Sequence, residues 1–527
     1  MSELLLVGAD VVTMDPDRPG AEAILVRDGV VVAVGTESEV ATLASAHVER
    51  LDLEGATVLP GLIESHVHPA YTGLTDLWAD CRSPGVGTIP DLQAALAALP
   101  VESGAWIRGW GYDDTLLAEG RHPTRDDLDA VSSTDPVIVS HISGHFLVAN
   151  TVALALAQVD EETVAIDDPR FPRDASGRLT GMAWEIDAVS RVLAAVPALS
   201  DTDLEDALLR ALSRARERGI TTVHDLGVGL IGGPEELDAY RRLDAEGRLP
   251  VRVVGFLRGD LPLDGDTVFE AAGQSVGRFR LAGAKFWADG SIQGLSAALR
   301  APYLCDPGHH GELLQPQEVL DAMVAPVAAA GGQLAVHANG DAAVGAALTA
   351  INRAGQGTHD PRHRIEHCQV TSTADLDALK EAGVGVSFFV NHVYFWGDRH
   401  RERFLGDVRS DFLDPLASAA AAGLRFGLHS DCPITPMDPL ATLRTAVNRL
   451  TSGGSVLGAA ERIDVHRAVQ AMTVDSAYLV HEEQYVGTLA PGMRADLVVL
   501  DGDLSQVADA AAPMPKPVRV MVGGSWE

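Results

Sequence analysis

Two histidines with a single residue between them lie at the end of an apolar stretch, in the segment VLPGLIESHVHPAY (58–71). Because side chains two positions apart in an extended strand point to the same face, His66 and His68 would present two imidazoles side by side. Pro69 follows directly and lacks the N–H that a sheet ladder needs, so the strand is predicted to end there. Neutral imidazole is a common metal ligand, and the pair therefore predicts a metal site.

Polar residues also lie at the ends of most of the later apolar stretches. A single histidine on an apolar strand is more often an ordinary core residue than a ligand. Burying many polar groups without partners costs roughly 1–3 kcal/mol each, however, and a shared metal ion would provide the missing partner. Imidazole combined with carboxylate suits Zn²⁺ best, with Mn²⁺, Ni²⁺ or Fe²⁺ as alternatives. The residues at these positions are His66, His68, His224, Lys285, His337, His367 and Asp431.

The middle of the chain alternates apolar strands with helical stretches. One helix is predicted over DTDLEDALLRALSRARERG (201–219), with Ser200 or Asp201 as the N-cap and Gly219 just past its end. Counting the opening strand, eight β units separated by helices favour an α/β fold, a (β/α)8 TIM-type barrel, with a doubly wound open sheet as the alternative. In a barrel the strand ends converge on one rim, which would bring the polar residues together. The later strand candidates are 219–227, 251–257, 281–290, 332–341, 363–369, 383–390 and 424–431.

Both ends of the chain are β-rich and differ from the middle. Residues 1–58 have the pattern of short strands with an Asp-Gly hairpin signal, and residues 485–527 repeat that pattern. We therefore expect one small β-sandwich built from both termini, beside a metal-dependent barrel over 59–484. Residues from about 77 to 200 interrupt the rhythm after the first barrel strand. They predict a large insertion on a βα loop. Such loops shape the substrate pocket of a barrel.

Composition limits the class of protein and its partners. The 527-residue chain is 46% hydrophobic, enough for a large core, and carries a formal net charge of −34. An acidic surface repels nucleic acid and anionic membranes, so neither is expected as a partner, and a small-molecule substrate is expected instead. The cysteines have no CxxC spacing, and neither a signal peptide nor an apolar run of about 18 residues occurs, which predicts a cytoplasmic protein. A homodimer is expected by base rate.

Five short segments, each around one of the polar strand ends, resemble the amidohydrolase superfamily. More narrowly, they are similar to its amidohydrolase family 3 branch, which includes N-substituted formamide deformylases. The resemblance extends over nearly the whole chain, including the β-rich ends and the closing segment GTLAPGMRADLVVLD (487–501). The segments that carry it are PGLIESHVH, AKFWADG, VHANGD, RIEHCQ and HSDCP.

The resemblance implies a metal centre at the C-terminal mouth of the barrel. His66 and His68 would bind a first divalent ion together with Asp431. His337 and His367 would bind a second ion. A site with one ion, held by His66, His68, His337 and Asp431, is the alternative.

The resemblance also implies that Lys285 reacts with CO2 and that its carbamate bridges the two ions. A lysine must be neutral to take up CO2, and burial beside cations lowers its pKa. Lysine is otherwise found only at positions 380 and 516, so a lysine in an apolar strand is not easily explained as a surface residue. The alternative for Lys285 is an ion pair with the nearby Asp289.

These residues indicate a metal-dependent hydrolase that cleaves a non-peptide C–N bond, in an N-substituted formamide or another small amide. A metal lowers the pKa of its bound water toward about 7, and the hydroxide so formed would attack the carbonyl. Asp431 would orient the water, accept its proton and pass it to the departing amine, as general base and then general acid. The alternatives are hydrolysis or deamination of a cyclic imide or heterocycle, metal-dependent isomerisation, and a non-catalytic regulatory protein.

Further side chains are candidates for contact with the substrate or for support of the ligands. His145, in SGHFLVAN, resembles a segment of the family and would act on the substrate carbonyl, with a structural role as the alternative. His224 and Asp225 end the second strand and would act directly or support the ligands. The segment FFVNHVYFWGD, after the seventh strand, departs from the proline expected there. Its candidates for lining a distinctive pocket are His392, Tyr394 and Trp396.

Overall fold

A computed structural model of the protein describes residues 3–263, 268–273, 277–355 and 360–526. The chain divides into two compact units. The first unit is formed by Met1–Pro69 together with Leu208–Glu527, and the second by Ala70–Ala207. The polar strand ends predicted to bind metal all belong to the first unit.

Eight strands of the first unit form one sheet in which every pair of neighbours is parallel. Their order in the sheet follows their order in the chain, unlike a doubly wound sheet, where the order reverses. The predicted α/β fold with an eight-stranded parallel barrel sheet is thereby confirmed. Barrel strands one to eight are Leu62–Val67, Ile220–Val228, Arg252–Arg258, Phe279–Trp287, Gln333–Ala338, Arg364–His367, Gly385–Phe388 and Phe426–Leu428.

The burial of these strands explains their sequence pattern. Barrel strand two is buried at every position, as is typical of parallel strands covered on both faces. The helix before it, Asp201–Glu217, has acidic residues in its first turn and arginines in its last, which complements the helix dipole. Gly219 lies just beyond that helix at φ +86°, a conformation that glycine adopts without steric cost. The predicted helix and its glycine stop are therefore confirmed.

Helices lie between most of the barrel strands and after the last of them. No helix in the described ranges is long and apolar enough to cross a membrane. A short π-helix, His400–Phe404, and a 3₁₀-helix, Ala459–Glu461, interrupt the α-helical pattern. The α-helices from residue 201 onward are Asp201–Glu217, Glu235–Ala245, Gln317–Ala329, Asp341–Ala354, Thr373–Glu381, Asn391–Arg399, Asp407–Asp411, Leu416–Ala421, Pro439–Asn448, Val465–Ala471, Val474–Tyr478 and Ser505–Ala508.

Barrel strands one and eight meet where the sheet closes on itself. The Asp431 N–H donates to the His66 carbonyl at 3.2 Å, and the His68 N–H donates to the Cys432 carbonyl at 3.0 Å. These backbone bonds join the ends of two strands that are more than 350 residues apart in the chain. They also place the two histidines of strand one directly beside Asp431.

A glycine allows this close approach. A Cβ atom at Gly427, in barrel strand eight, would lie 2.7 Å from the Ser65 Oγ and 2.8 Å from the Ser476 Oγ. Both distances are shorter than a normal contact, and both serines are buried. Any larger residue at position 427 would therefore push strand eight away from strand one.

Two further sheets of the first unit are built largely from the chain ends. Thr57–Pro60 pairs antiparallel with Leu497–Leu500, so both ends of the chain contribute to one sheet. The Asp28-Gly29 turn has positive φ at both residues, as a type I′ hairpin requires, and the predicted hairpin is confirmed. The four-stranded sheet runs Val30–Gly35, Ala23–Arg27, Glu3–Val7, Glu49–Asp52, and the six-stranded sheet runs Ser525–Trp526, Pro517–Val522, Leu497–Leu500, Thr57–Pro60, Asp10–Val12, Gly20–Ala21. A short helix, Glu37–Ala41, follows the hairpin.

The second unit has a sheet and a hydrophobic core of its own. Its sheet mixes parallel and antiparallel pairs. Residues from its strands and helices, among them Leu92, Val139 and Phe146, form one buried cluster. The strands run in the order Met182–Trp184, Phe146–Ala149, Val137–His141, Ile107–Tyr112, Ala79–Asp80, and the helices are Pro69–Thr75, which starts at the boundary, Ile89–Ala97, Arg125–Asp129, Thr151–Leu156 and Glu185–Leu193.

The contact at Gly427 gives a test of the barrel closure. We expect Gly427→Ala to lower the free energy of unfolding by about 1–3 kcal/mol, because overpacking a filled site forces neighbours to move. Gly308→Ala is the control, since a Cβ there has its nearest neighbour at 3.7 Å and the residue is exposed. Urea denaturation of both variants would measure the difference, and equal stability of the two would contradict this account of the closure.

Candidate metal centre

Three predicted ligands meet at the closure of the barrel. Each of the two histidines of strand one approaches Asp431 Oδ1 with its Nε2, at 3.4 Å for His66 and 3.2 Å for His68. One atom from each of these residues lies within 4.8 Å of the others, a spacing that suits ligands of one ion. His66 is fully buried, and Asp431 is 8% exposed.

The carboxylate of Asp431 fits a cation. Its Oδ1 is buried and has no hydrogen-bond partner in the described structure, which for a carboxylate would be costly without a metal or another positive group. The Asp431 backbone has φ +52°, in the left-handed region that non-glycine residues rarely occupy. His367 has φ +68°. Unfavourable backbone conformations of this kind concentrate at functional sites, where they fix the direction of a side chain.

A second group of possible ligands shares His66 and adds His367 and His429. The His367 Nδ1 lies 3.2 Å from the His429 Nε2, and the rings of His66 and His429 are stacked with centroids 4.7 Å apart. Burial, reinforced by positive neighbours, lowers the pKa of all three imidazoles well below the usual value. They are therefore neutral at pH 7, as metal ligands must be.

Lys285 reaches the same place from barrel strand four. Its Nζ lies 3.3 Å from the His66 Nε2, and its side chain is fully buried. Burial lowers the pKa of Lys285 to about 8. The Asp289 carboxylate, the alternative partner predicted for this lysine, accepts hydrogen bonds from the backbone N–H groups of Ala298, Asn339 and Gly340.

His337 lies at the edge of the cluster, on barrel strand five. Its ring is 4.5 Å from the ring of His367, and its Nε2 is 3.1 Å from the Gly290 carbonyl oxygen. The same Nε2 is also 3.1 Å from the amide nitrogen of Asn339, so it has both a hydrogen-bond acceptor and a hydrogen-bond donor as neighbours. His337 belongs to none of the three groups of closely spaced ligand atoms found among the described residues.

A buried network holds the ring of His66. The His66 Nδ1 lies 2.7 Å from the Glu366 carboxylate, which in turn accepts two bonds from Arg364, at 2.5 and 2.9 Å. Arg364 also donates to the Ser65 carbonyl at 2.7 Å and lies 3.1 Å from the His224 Nδ1. Because the carboxylate accepts a hydrogen bond from Nδ1, the neutral ring carries its proton on Nδ1 and the His66 Nε2 keeps its lone pair. His224 therefore supports the site through Arg364.

A second buried carboxylate supports Asp431 from barrel strand one. Glu64 accepts a hydrogen bond from the Ser430 N–H at 2.9 Å and another from the Ser430 hydroxyl at 3.0 Å. Burial raises the pKa of Glu64 to about 8. These two bonds fix the backbone immediately before Asp431.

The pocket candidates after barrel strand seven lie on one helix, Asn391–Arg399. His392 and Trp396 are buried, with ring centroids 5.6 Å apart. Tyr394 is 43% exposed. Phe389 separates this pair from the metal centre, because its ring contacts both His392 and His429.

His145 belongs to the second unit, where its Nδ1 lies 2.9 Å from the Glu185 carboxylate. Its role at a substrate carbonyl stays a prediction. The same unit contains a group of possible ligands formed by Asp113, Asp114 and His141. The Ser143 N–H donates to the His141 Nδ1 at 3.1 Å, and the His141 Nε2 lies 3.3 Å from the Asp114 carboxylate.

Sequence reasoning missed several residues of the centre. His429 stands two positions before Asp431 in the segment HSD, the same spacing that singled out the first pair of histidines, and this signal could have found it. Glu366 and Arg364 carry no such signal, since an acidic or basic residue next to a ligand is usually a surface residue. Their role follows from the packing alone.

The barrel and its rim define a class of protein. A parallel eight-stranded barrel with imidazole, carboxylate and lysine side chains gathered at its strand ends is the architecture of a metal-dependent hydrolase. The chain belongs to the amidohydrolase family, whose model matches residues 49–525.

Relatives of known sequence match over nearly the full length. The chain is 27% identical over 533 residues to the putative amidohydrolase YtcJ of Bacillus subtilis, covering 98% of both chains. It is also 27% identical over 541 residues to an N-substituted formamide deformylase of Arthrobacter pascens, covering 99% of this chain and 98% of the relative.

A solved structure shares the whole architecture. An uncharacterized metal-dependent hydrolase of Pyrococcus horikoshii OT3 superposes with a TM-score of 0.79 at 25% identity, covering 97% of this chain and all of the other. A metal-dependent hydrolase of Pyrococcus furiosus gives 0.75 at 27% identity, over 95% of this chain. Both proteins are described as metal-dependent hydrolases, the class that the barrel and its rim define.

The network around His66 predicts a loss of metal affinity when it is weakened. Glu366→Gln keeps the shape of the side chain but removes the charge that pairs with Arg364 and orients His66. We expect affinity for Zn²⁺ to fall roughly 10–100-fold, as is usual for groups that support a ligand. Competition with a coloured chelator would measure it. Glu461→Gln, at another buried glutamate that binds Ser418, is the control, and equal affinities of the two variants would refute the role of Glu366.

Proposed function

We propose that the protein hydrolyses a non-peptide C–N bond of a small molecule, with an N-substituted formamide or a similar small amide as the substrate. The observation that carries this proposal is the convergence of His66, His68 and Asp431, with an unpaired buried carboxylate oxygen between the two imidazoles. Full-length similarity to an N-substituted formamide deformylase supports the choice of substrate class.

The residues present fit a divalent metal, and we assign it as Zn²⁺. His66, His68 and Asp431 would hold a first ion. His367 and His337 would hold a second. The mixture of imidazole and carboxylate ligands supports zinc over magnesium or calcium, which prefer oxygen ligands alone.

We further propose that Lys285 is carboxylated and that, as a carbamate, it would help to hold both ions. The position of its Nζ, 3.3 Å from the His66 Nε2, and its complete burial support this assignment. A buried ammonium would have to share this space with metal cations, and conversion to a carbamate replaces that repulsion with attraction.

The chemistry divides between the metal and Asp431. A bound divalent metal supplies an acidified water and polarises the substrate carbonyl. Asp431 accepts the proton of the attacking water and returns it to the nitrogen of the leaving amine. The hydrogen bonds that Glu64 makes to Ser430 keep Asp431 in place during both transfers.

The division of the chain follows the same proposal. Residues 59–484 would form the catalytic barrel, with an insertion over about 77–200, and residues 1–58 with 485–527 would form a β-sandwich. One hydrophobic cluster contains Leu6, Val58 and Leu497, from sheets at both ends of the chain, and supports the sandwich.

Product analysis of the zinc-loaded protein tests the reaction. We expect formate or another carboxylate to appear together with an amine when formamides and amides are supplied. Ammonia alone, from a heterocyclic amine, would indicate deamination, and a ring-opened product would indicate a cyclic imide as substrate. A product with the same molecular mass as the substrate, to which no water has been added, would indicate isomerisation and refute hydrolysis.

Asp431 allows the proton-transfer role to be separated from metal binding. For Asp431→Asn we expect kcat to fall about 10²–10⁴-fold, the range for loss of a general base, with metal still bound through the histidines. Metal analysis and kinetics on the same sample would distinguish the two effects. Full activity of the variant would exclude Asp431 as the base.

The carbamate can be observed directly. After incubation with ¹³C-bicarbonate and Zn²⁺, the wild-type protein should show a carbamate carbon resonance that Lys285→Met lacks. Lys380→Met is the control, because the Lys380 Nζ donates to the Gly423 carbonyl on the protein surface. A spectrum that is the same for wild type and Lys285→Met would exclude the carbamate.

A further inference from the structure

We infer that His429 binds the metal centre directly through Nε2, as a ligand beside His66 and His367. This inference rests on the proposed metal centre and adds to it a residue outside the predicted ligand set. His429 lies just beyond barrel strand eight and is fully buried. Its ring stacks on His66 at 4.7 Å and on Phe389 at 5.1 Å, which leaves little freedom for it to turn.

A chain of hydrogen bonds sets the tautomer of His429. The Ser65 hydroxyl donates its single proton to the Leu428 carbonyl at 2.9 Å. In the 2.7 Å contact between the two serine hydroxyls, Ser387 must therefore be the donor. The Ser387 oxygen has then no proton left for the His429 Nδ1, which lies 2.7 Å away, so Nδ1 is the donor in that bond. Neutral His429 consequently carries its proton on Nδ1.

The opposite nitrogen then presents a lone pair to the centre. The His429 Nε2 lies 3.2 Å from the His367 Nδ1. Two nitrogens that bind one ion tetrahedrally at about 2.0–2.1 Å lie roughly 3.3 Å apart. His66 is prepared in the same way, because Glu366 holds its Nδ1 proton and frees Nε2. His66 and His429, which come from different strands, are thus both fixed in the tautomer that a metal requires.

The same 3.2 Å contact has a second explanation, a direct hydrogen bond in which the His367 Nδ1 donates to the His429 Nε2. In that case His429 is a positioning residue for His367 and never touches the metal. The two explanations differ in the number of nitrogen ligands, which Co²⁺ reports through the position and intensity of its visible absorption bands.

The experiment compares the Co²⁺-loaded wild type with His429→Asn. Asparagine keeps an amide near the position of Nδ1, able to bond Ser387, but has nothing at the position of Nε2. We expect Co²⁺ affinity to fall by more than about 10-fold. We also expect the visible absorption bands to shift and change in intensity. His363→Asn is the matched control, since His363 is also buried but accepts a hydrogen bond from the Leu334 N–H.

Each outcome decides the inference. Bands and affinity that match the wild type and the control would overturn it, and unchanged bands with weaker binding would assign His429 to positioning only. A wild-type protein that binds no Co²⁺ would refute the proposed metal function as a whole, which distinguishes the two failures.

A second variant covers the case in which His429→Asn does not fold. Ser387→Ala removes the acceptor of the Nδ1 proton and leaves the imidazole in place. We expect Co²⁺ affinity to fall roughly 10–100-fold with the bands retained, as for loss of a group that supports a ligand. Wild-type affinity in Ser387→Ala would overturn the inference.

Discussion

The closure of the barrel is the constraint on which the site depends. Backbone hydrogen bonds between His66 and Asp431, and between His68 and Cys432, join the first and last strands of the sheet. Without them, the paired imidazoles and the carboxylate would lie at opposite edges of an open sheet. Gly427 makes this approach sterically feasible, because its missing side chain leaves room for Ser65. The closure of the barrel and the assembly of the site therefore depend on the same backbone contacts.

Orientation is the second requirement, and buried hydrogen bonds provide it. Glu366, held by Arg364, fixes the ring of His66. Hydroxyl groups act in the same way on His429. In each bond the ring Nδ1 keeps its proton and donates it to the oxygen. The other ring nitrogen then has a lone pair toward the rim. Desolvation keeps these imidazoles neutral, so burial, which is costly for a charged group, here favours the form that binds metal.

The sequence allowed much of the fold to be predicted, because parallel strands buried on both faces have a distinctive composition. The predicted strand 219–227 and helix 201–219 correspond closely to Ile220–Val228 and Asp201–Glu217. The stop at Gly219 was equally visible, since few residues other than glycine adopt positive φ. Strand order was also predictable, because βαβ connections join neighbouring strands with one hand.

The sequence by itself determined which residue types lie at the strand ends, because spacing of two along a strand fixes a common face. His66 and His68 could be found in this way, and Asp431 could be found as the polar residue that ends the last predicted strand. Only the tertiary structure decided that Glu366 orients a ligand and that His429 faces the same group. Those roles depend on which atoms meet across the barrel. They also depend on ring protons assigned by hydrogen-bond partners that are 300 residues away for His66 and 42 residues away for His429. Neither the contacts nor the proton positions can be predicted from the local sequence.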